Sequence, residues 1–131
     1  MAIQYLTKQD TRSNGNSKWY GRAVHPSTVG LDVIAERIQH TCSMTKGDVL
    51  AVLTEMVSVM KDELQNSNQV RLDGLGTFSI GLRTVGAKTE EEFTANDNIK
   101  AFVVNFLAEG RKQNGKLVRT FTDGIRAVKA V

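Results

Sequence analysis

The sequence predicts an α+β fold, and two observations lead to this prediction. Apolar residues recur at helical spacing between positions 31 and 64. Apolar and polar residues then alternate on both sides of a glycine pair, Gly74 and Gly76, as is typical of short strands. The 131 residues, of which 40% are hydrophobic, suffice for one domain with a core. We divide this single domain, residues 1–131, into a β extension at 1–27, two helices at 28–64, a sheet and arm at 69–108, and a basic C-terminal segment at 109–131.

The N-terminal extension is predicted to be a β-hairpin. Residues 3–7 and 19–24 have the composition of strands. Residues 10–18 between them are rich in Asn, Ser and Gly and contain no apolar side chain in their centre, which indicates a loop.

The first predicted helix is short and amphipathic. Pro26, the only proline, ends the hairpin, and Ser27 and Thr28 are candidate caps for the helix that follows. Its apolar positions recur at helical spacing and are Leu31, Ile34, Ala35, Ile38 and Cys42.

The second predicted helix is longer and has a clearer start. Thr45 is a good N-cap, and Asp48 can reach back to it and also favours the positive end of the helix dipole. A polar turn at 65–69 ends the helix. The apolar face is broad for a lone helix, and we expect a homodimer to cover it. This face consists of Val49, Val52, Leu53, Met56, Val57, Met60 and Leu64.

A glycine hinge joins the next two strands. Residues 70–73 and 77–82 alternate with period two, and the chain must turn between them. Gly74 and Gly76 are expected to adopt backbone conformations that are costly for other residues.

The C-terminal third is harder to interpret because helix and strand patterns compete there. Residues 83–98 are expected to form an arm, and 99–107 are the returning strand. After a turn at 112–115, we predict a short helix at 117–123. A last strand at 125–129 is expected to pair with the N-terminal hairpin.

The charge distribution is more informative than the net charge of +3. Residues 1–30 carry four basic side chains and one acidic side chain. Residues 31–64 carry three basic and six acidic side chains, and residues 100–131 carry seven basic and two acidic side chains. The helical middle is therefore acidic and the flanks are basic. One face can present positive charge to phosphates, although a solvated surface of uneven charge explains the same numbers.

The sequence contains no convincing catalytic or metal-binding pattern. His25 and His40 lack partners at metal-ligand spacing, and no nucleophile elbow is present. The Gly74–Gly76 pair is followed by Ser79 and a strand pattern, unlike a dinucleotide-binding loop. We therefore expect no enzyme activity, no cofactor, no metal and no small-molecule substrate. The single Cys42, the absence of a signal-peptide pattern and the absence of a membrane span predict a cytoplasmic protein.

Positions 45 to 78 combine the Thr45-Lys46-x-Asp48 cap, the long helix, the polar turn and the motif Gly74-x-Gly76-Thr77-Phe78. Over these positions the chain resembles, without a gap, the HU/IHF family of bacterial histone-like DNA-binding proteins, with Leu75 where the family usually has an aromatic residue. The resemblance implies an HU-like fold with a helical dimer base, a β-sheet saddle and an arm, to which the N-terminal hairpin is an addition. It also implies nonspecific binding of double-stranded DNA by a homodimer in the nucleoid, in an architectural role that includes DNA condensation.

The resemblance further implies two sets of site residues. The dimer interface would comprise Val49, Leu53, Met56, Val57, Met60, Phe78 and Ile80. Arg111 and Lys112 would open the last helix of the family. The phosphate contacts would come from Arg83, Lys88, Lys100, Arg111, Lys112, Lys116 and Arg119.

One departure from the family pattern keeps a second hypothesis open. The arm has no proline to wedge between base steps, and Glu90, Glu91 and Glu92 lie near its expected tip. Sharp bending of DNA is therefore not expected. The alternative is an HU-like structural or protein-interaction module that has lost strong DNA binding, and a short, folded-back acidic arm would favour it.

Overall fold

A computed structural model of the chain describes residues 1–12 and 17–131, so residues 13–16 of the loop expected at 10–18 lie outside the described part. The fold is mixed α+β, as predicted. Its helices are α1 (Leu31–Gln39), α2 (Lys46–Gln65) and the single turn α3 (Ala95–Asn98). Its strands are β1 (Ala2–Asp10), β2 (Lys18–Val24), β3 (Val70–Leu72), β4 (Gly76–Thr84), β5 (Ile99–Ala108), β6 (Gly110–Gln113), β7 (Lys116–Arg119) and β8 (Arg126–Lys129).

The two ends of the chain share one sheet, in the strand order β2-β1-β8. Strands β1 and β2 are antiparallel, from Gln4 opposite Val24 to Asp10 opposite Lys18. Strand β8 lies parallel to β1 on its other side, and the Ala130 amide donates to the Tyr5 carbonyl over 2.8 Å. The expected pairing of the last strand with the N-terminal hairpin is thus present.

Helices α1 and α2 pack against each other and are joined by a short connection at residues 40–45. The Thr45 hydroxyl caps α2 by accepting from the Asp48 amide (3.2 Å), and it donates to the Asp48 carboxylate (2.8 Å), as the sequence predicts. The expected caps of α1 are wrong, because this helix begins after Gly30 without a side-chain cap, three residues beyond Ser27. Among the described residues, the buried apolar side chains are Ala35 and Val49, one on each helix.

The central sheet has the order β3-β4-β5 and is antiparallel throughout. One face carries Phe78, Ile80 and Leu82 of β4 opposite Phe106, Val104 and Phe102 of β5. The rings of Phe78 and Phe106 lie 4.7 Å apart, centre to centre, and are tilted by 32°. Much of this face is open in the single chain, where Val104 is 65% and Phe102 72% exposed.

The helix expected at 117–123 is wrong. Strands β6 and β7 form a hairpin there, with Leu117 opposite Lys112. Asn114 and Gly115 have φ values of 52° and 78°, the pair of positive angles that a tight hairpin turn of the type I′ kind requires. The backbone hydrogen bonds of 116–119 are therefore made across the hairpin instead of along a helix, and residues 120–124 form turns.

The single chain exposes far more surface than a compact protein of its mass. Its accessible area is 11142 Å², whereas a folded monomer of 14.4 kDa is expected to expose about 6,800 Å². The excess comes from open sheet faces and from α2, where Val52 and Val57 are more than half exposed. Within the described residues, none of the helices has the length and apolar character that crossing a bilayer requires.

Candidate nucleic-acid interface

The glycine hinge has the strained geometry that the sequence predicts. Gly74 and Gly76 have φ values of +85° and +148°, and the Leu75 amide closes the turn on the Leu72 carbonyl at 2.9 Å. A Cβ on Gly76 would collide with the Leu107 carbonyl oxygen and come within 2.6 Å of the Phe106 ring. Glycine is therefore required at position 76 both by its backbone angles and by the closeness of β5.

Glu109 holds the hinge against the end of β5, a role that sequence reasoning missed. Its carboxylate accepts from the Gly74 amide (2.7 Å) and from the Arg71 guanidinium (2.9 Å), while Arg71 also lies 3.5 Å from Asp73. The Gly74 amide and then the Arg71 guanidinium lower the pKa of Glu109, and the Glu109 carboxylate raises the pKa of Arg71. No local signal could reveal this contact, because Glu109 lies 35 residues from Gly74 in the sequence.

The expected arm at 83–98 is mostly a loop that is closed at its base. Strand β4 ends at Thr84, and the Asn98 side chain, only 6% exposed, ties the connection together. It donates to the carbonyls of Val85 (2.9 Å) and Gly86 (3.3 Å) and accepts from the Thr94 amide (3.0 Å). The sequence does not predict this role of Asn98, because Asn98 lies in a polar segment and its partners are up to 13 residues away.

Three predicted phosphate contacts lie on the ends of β4 and β5 and in the loop that joins them. Arg83 is at the end of β4, Lys88 is in the loop, and Lys100 is at the start of β5; all three are exposed. Lys100 is the extra residue of a β-bulge, since Arg83 pairs with Ala101 while Thr84 pairs with Ile99. Within the described residues, none of these three cations forms an ion pair. Glu90, Glu91 and Glu92 are exposed in the same loop.

The other four predicted contacts lie on the β6–β7 hairpin and are divided between its two faces. Arg111 and Lys112 are on strand β6, so their expected position at the start of a helix is wrong. Arg111 lies 3.5 Å from Asp123, and the Arg119 guanidinium donates to the Ala108 carbonyl at 2.6 Å. The hairpin register places Lys112 and Lys116 on opposite faces.

The predicted interface residues border an open apolar groove. Val49 is already buried within the single chain, and Leu53 is half-buried. Met56, Val57 and Met60 of α2 line a groove of about 490 Å³. Its other wall includes Phe78, Ile80 and Val104.

Among residues 1–12 and 17–131, no cluster of His, Cys, Asp and Glu is arranged to hold a metal ion.

A family model described as "HU-HIG: HU domain fused to wHTH, Ig, or Glycine-rich motif" matches residues 1–120. Among solved structures, a protein of Bacteroides vulgatus ATCC 8482 described as a bacterial DNA binding protein is similar, with a TM-score of 0.61 and 11% identity. The match covers 98% of this chain and 49% of that one, so the chain spans about half the length of that protein.

Anabaena HU, from a cocrystal with DNA, has a TM-score of 0.49 and 17% identity over 72% of this chain and 95% of that one. None of the curated proteins matches this chain significantly in sequence. The TM-score of 0.61 shows that the Bacteroides protein and this chain share a fold.

Proposed function

The chain belongs to the HU-HIG family of HU domains fused to wHTH, Ig or glycine-rich motifs, and on this basis we propose that it binds double-stranded DNA as a homodimer. Binding is to the phosphate backbone and does not depend on base sequence. The protein acts as an architectural, histone-like component of the bacterial nucleoid.

The homodimer is supported by the surface that a single chain leaves open. The area of 11142 Å² exceeds the value expected for a compact monomer by about 4,300 Å². Obligate dimers bury about 2,000–5,000 Å² in total, which is about 1,000–2,500 Å² per chain, so covering the apolar groove between α2 and the central sheet accounts for about a quarter to a half of the excess. Val57 and Val104, which are 53% and 65% exposed, lie on the two walls of this groove.

The observation that carries DNA binding is the exposure of the cations Arg83, Lys88 and Lys100. They lie at the ends of β4 and β5 and in the connecting loop, without carboxylate partners among the described residues. Arginine and lysine side chains in such a position neutralise phosphates and release counterions. A dimer presents six of these cations, which corresponds to a salt slope of about −5 if each contacts one phosphate.

The shape of the loop limits what this contact can do. The connection between β4 and β5 is short, lacks proline and carries Glu90, Glu91 and Glu92. It offers no proline wedge for insertion between base steps, so we expect bending to be modest. The same short acidic loop favours the second candidate, an HU-like protein-interaction module, over a strong DNA-bending protein.

A mobility-shift assay across a salt series tests the proposal. Replacing Arg83 or Lys100 by Ala is expected to weaken binding equally for unrelated duplexes and to make the salt slope shallower by about two units in a dimer, one unit per chain. Arg37→Ala is the matched control, because it removes one exposed positive charge from the acidic α1 helix. If wild type and a variant with Gln at 90–92 both fail to bind at about 50 mM salt, the DNA proposal fails and the interaction module becomes the better account.

A further inference from the structure

The terminal sheet β2-β1-β8 has two chemically different faces. The register places Lys8, Lys18, Arg22 and Arg126 on one face, together with Tyr20 and Leu6. The opposite face carries Ile3, Tyr5, Trp19, Ala23 and Ala127, with Lys129 as its one charged side chain among the described strand residues. The sheet therefore separates a basic face from an apolar one.

The basic face has almost no negative charge of its own. Of the described strand residues on it, only Asp10 carries a carboxylate, and this group is paired with the Arg12 guanidinium at 3.2 Å. Lys8, Lys18 and Arg22 form no ion pair within the described part of the chain. Four cations on one small sheet face attract a polyanion.

An aromatic ring lies beside three of these cations, while Arg126 lies opposite Ala2 at the other end of β1. Tyr20 is directly opposite Lys8 across the strands, and Lys18 and Arg22 are its neighbours two residues away on the same face of β2. Its side chain is 55% exposed. An exposed ring between phosphate-binding side chains is suited to unpaired bases, which stack on an aromatic surface while their phosphates meet the cations. A duplex keeps its base faces stacked inside and has nothing to place on this ring.

We propose that the basic face of the terminal sheet, formed by Lys8, Lys18, Tyr20, Arg22 and Arg126, binds single-stranded nucleic acid. This site is separate from Arg83, Lys88 and Lys100, and it does not rest on the duplex contact proposed above. Recognition is independent of base sequence, since every base presents a π-face.

Fluorescence anisotropy with the full chain tests this proposal, using labelled oligothymidylate and oligouridylate of about 30 nucleotides and a duplex for comparison. Wild type is expected to bind one or both single strands, and the tighter of the two shows whether DNA or RNA is preferred. Tyr20→Leu is expected to weaken this binding by about 5- to 150-fold, the loss that removing one base–aromatic stack gives. Tyr20→Phe keeps the ring and is expected to bind as wild type does.

Charge variants give an independent readout. Lys18→Gln and Arg22→Gln are each expected to make the salt slope for the single strand shallower by about 0.7 for each chain that contacts it. Lys129→Gln removes the same charge from the opposite face and is the matched control. Arg83→Ala is expected to weaken duplex binding, whereas Tyr20→Leu is expected to leave it unchanged. The proposals for the two sites can therefore be refuted independently. The proposal is overturned if no single strand binds at about 50 mM salt, if Tyr20→Leu binds like wild type, or if Lys129→Gln changes the slope as much as Arg22→Gln.

Discussion

Replacing Gly76 by Ala tests how tightly the hinge is determined by its backbone. The φ of +148° is unfavourable for any residue with a Cβ, which costs about 1–3 kcal/mol. The new Cβ also meets the Leu107 carbonyl and the Phe106 ring, and overpacking of this kind costs a further 1–3 kcal/mol or so. We therefore expect a loss of about 2–6 kcal/mol, a large part of the total of about 5–15 kcal/mol that stabilises a domain.

Thermal unfolding followed by circular dichroism measures this loss. For a chain of this size we expect Gly76→Ala to lower the melting temperature by about 6–25 °C. Two glycines serve as controls. Gly74 has a φ of +85° but open space around it, so Gly74→Ala isolates the backbone cost at about 1–3 kcal/mol. Gly86→Ala has open space and no positive φ, and it is expected to be neutral or slightly stabilising.

The order of the three variants is the decisive result. If Gly76→Ala melts within about 2 °C of wild type, or if Gly86→Ala is as harmful as Gly76→Ala, the hinge is not determined by the close approach of β5. All variants must be compared at one protein concentration, because the melting temperature of a dimer depends on concentration.

Four further predictions follow from the structure. Glu109→Gln should destabilise the protein at neutral pH but not at acidic pH. The folded pKa of Glu109 is lowered, so its contribution is complete above the ordinary pKa of 4.5 and is lost as the pH falls through the folded value; equal melting temperatures for variant and wild type at pH 7 would contradict this. Asn98→Ala leaves two backbone carbonyls unpaired and should cost about 1–3 kcal/mol, with faster hydrogen exchange concentrated at 85–98; uniform protection would speak against it. Val104→Lys places a charge in the apolar groove and should shift sedimentation from dimer to monomer, and a wild type that sediments as a folded monomer at micromolar concentration would refute the dimer. Changing residues 90–92 to Gln should tighten duplex binding most at low salt, and an unchanged affinity would show that these carboxylates lie away from the phosphates.

The parts of the fold that the sequence predicted well are those with strong local signals. Helix α2 combines the Thr45 cap with a long apolar period, and the hinge combines two glycines with flanking alternation. The first helix was found at its right place, but Ser27 and Thr28 do not cap it, because residue preference alone does not fix which residue begins the first turn.

The helix predicted at 117–123 is wrong because the hairpin turn that precedes it decides the structure, and not the helical spacing of the apolar residues. Leu117, Val118 and Phe121 fit one side of a helix, but the first two fit a strand equally well. The Asn114-Gly115 pair is a strong hairpin signal, and it determined the outcome.

The candidate site stays a prediction that rests on residue type. Arg83 and Lys100 lie at neighbouring strand ends because strand pairing returns the chain to where the loop began, which the expected strands imply. The roles of Glu109 and Arg119 depend on the register between distant segments, and no spacing in the sequence encodes that register.

The parallel pairing of β1 with β8 has a mechanical consequence. Residues 2–5 lie beside 126–129 with both strands running in the same direction. A chain pulled by its two ends therefore loads the backbone hydrogen bonds of this pair in shear, so that they resist together instead of opening one after another. Extension of the domain has to begin by breaking this whole pair, while the hinge, the helices and the central sheet remain shielded from the force behind it.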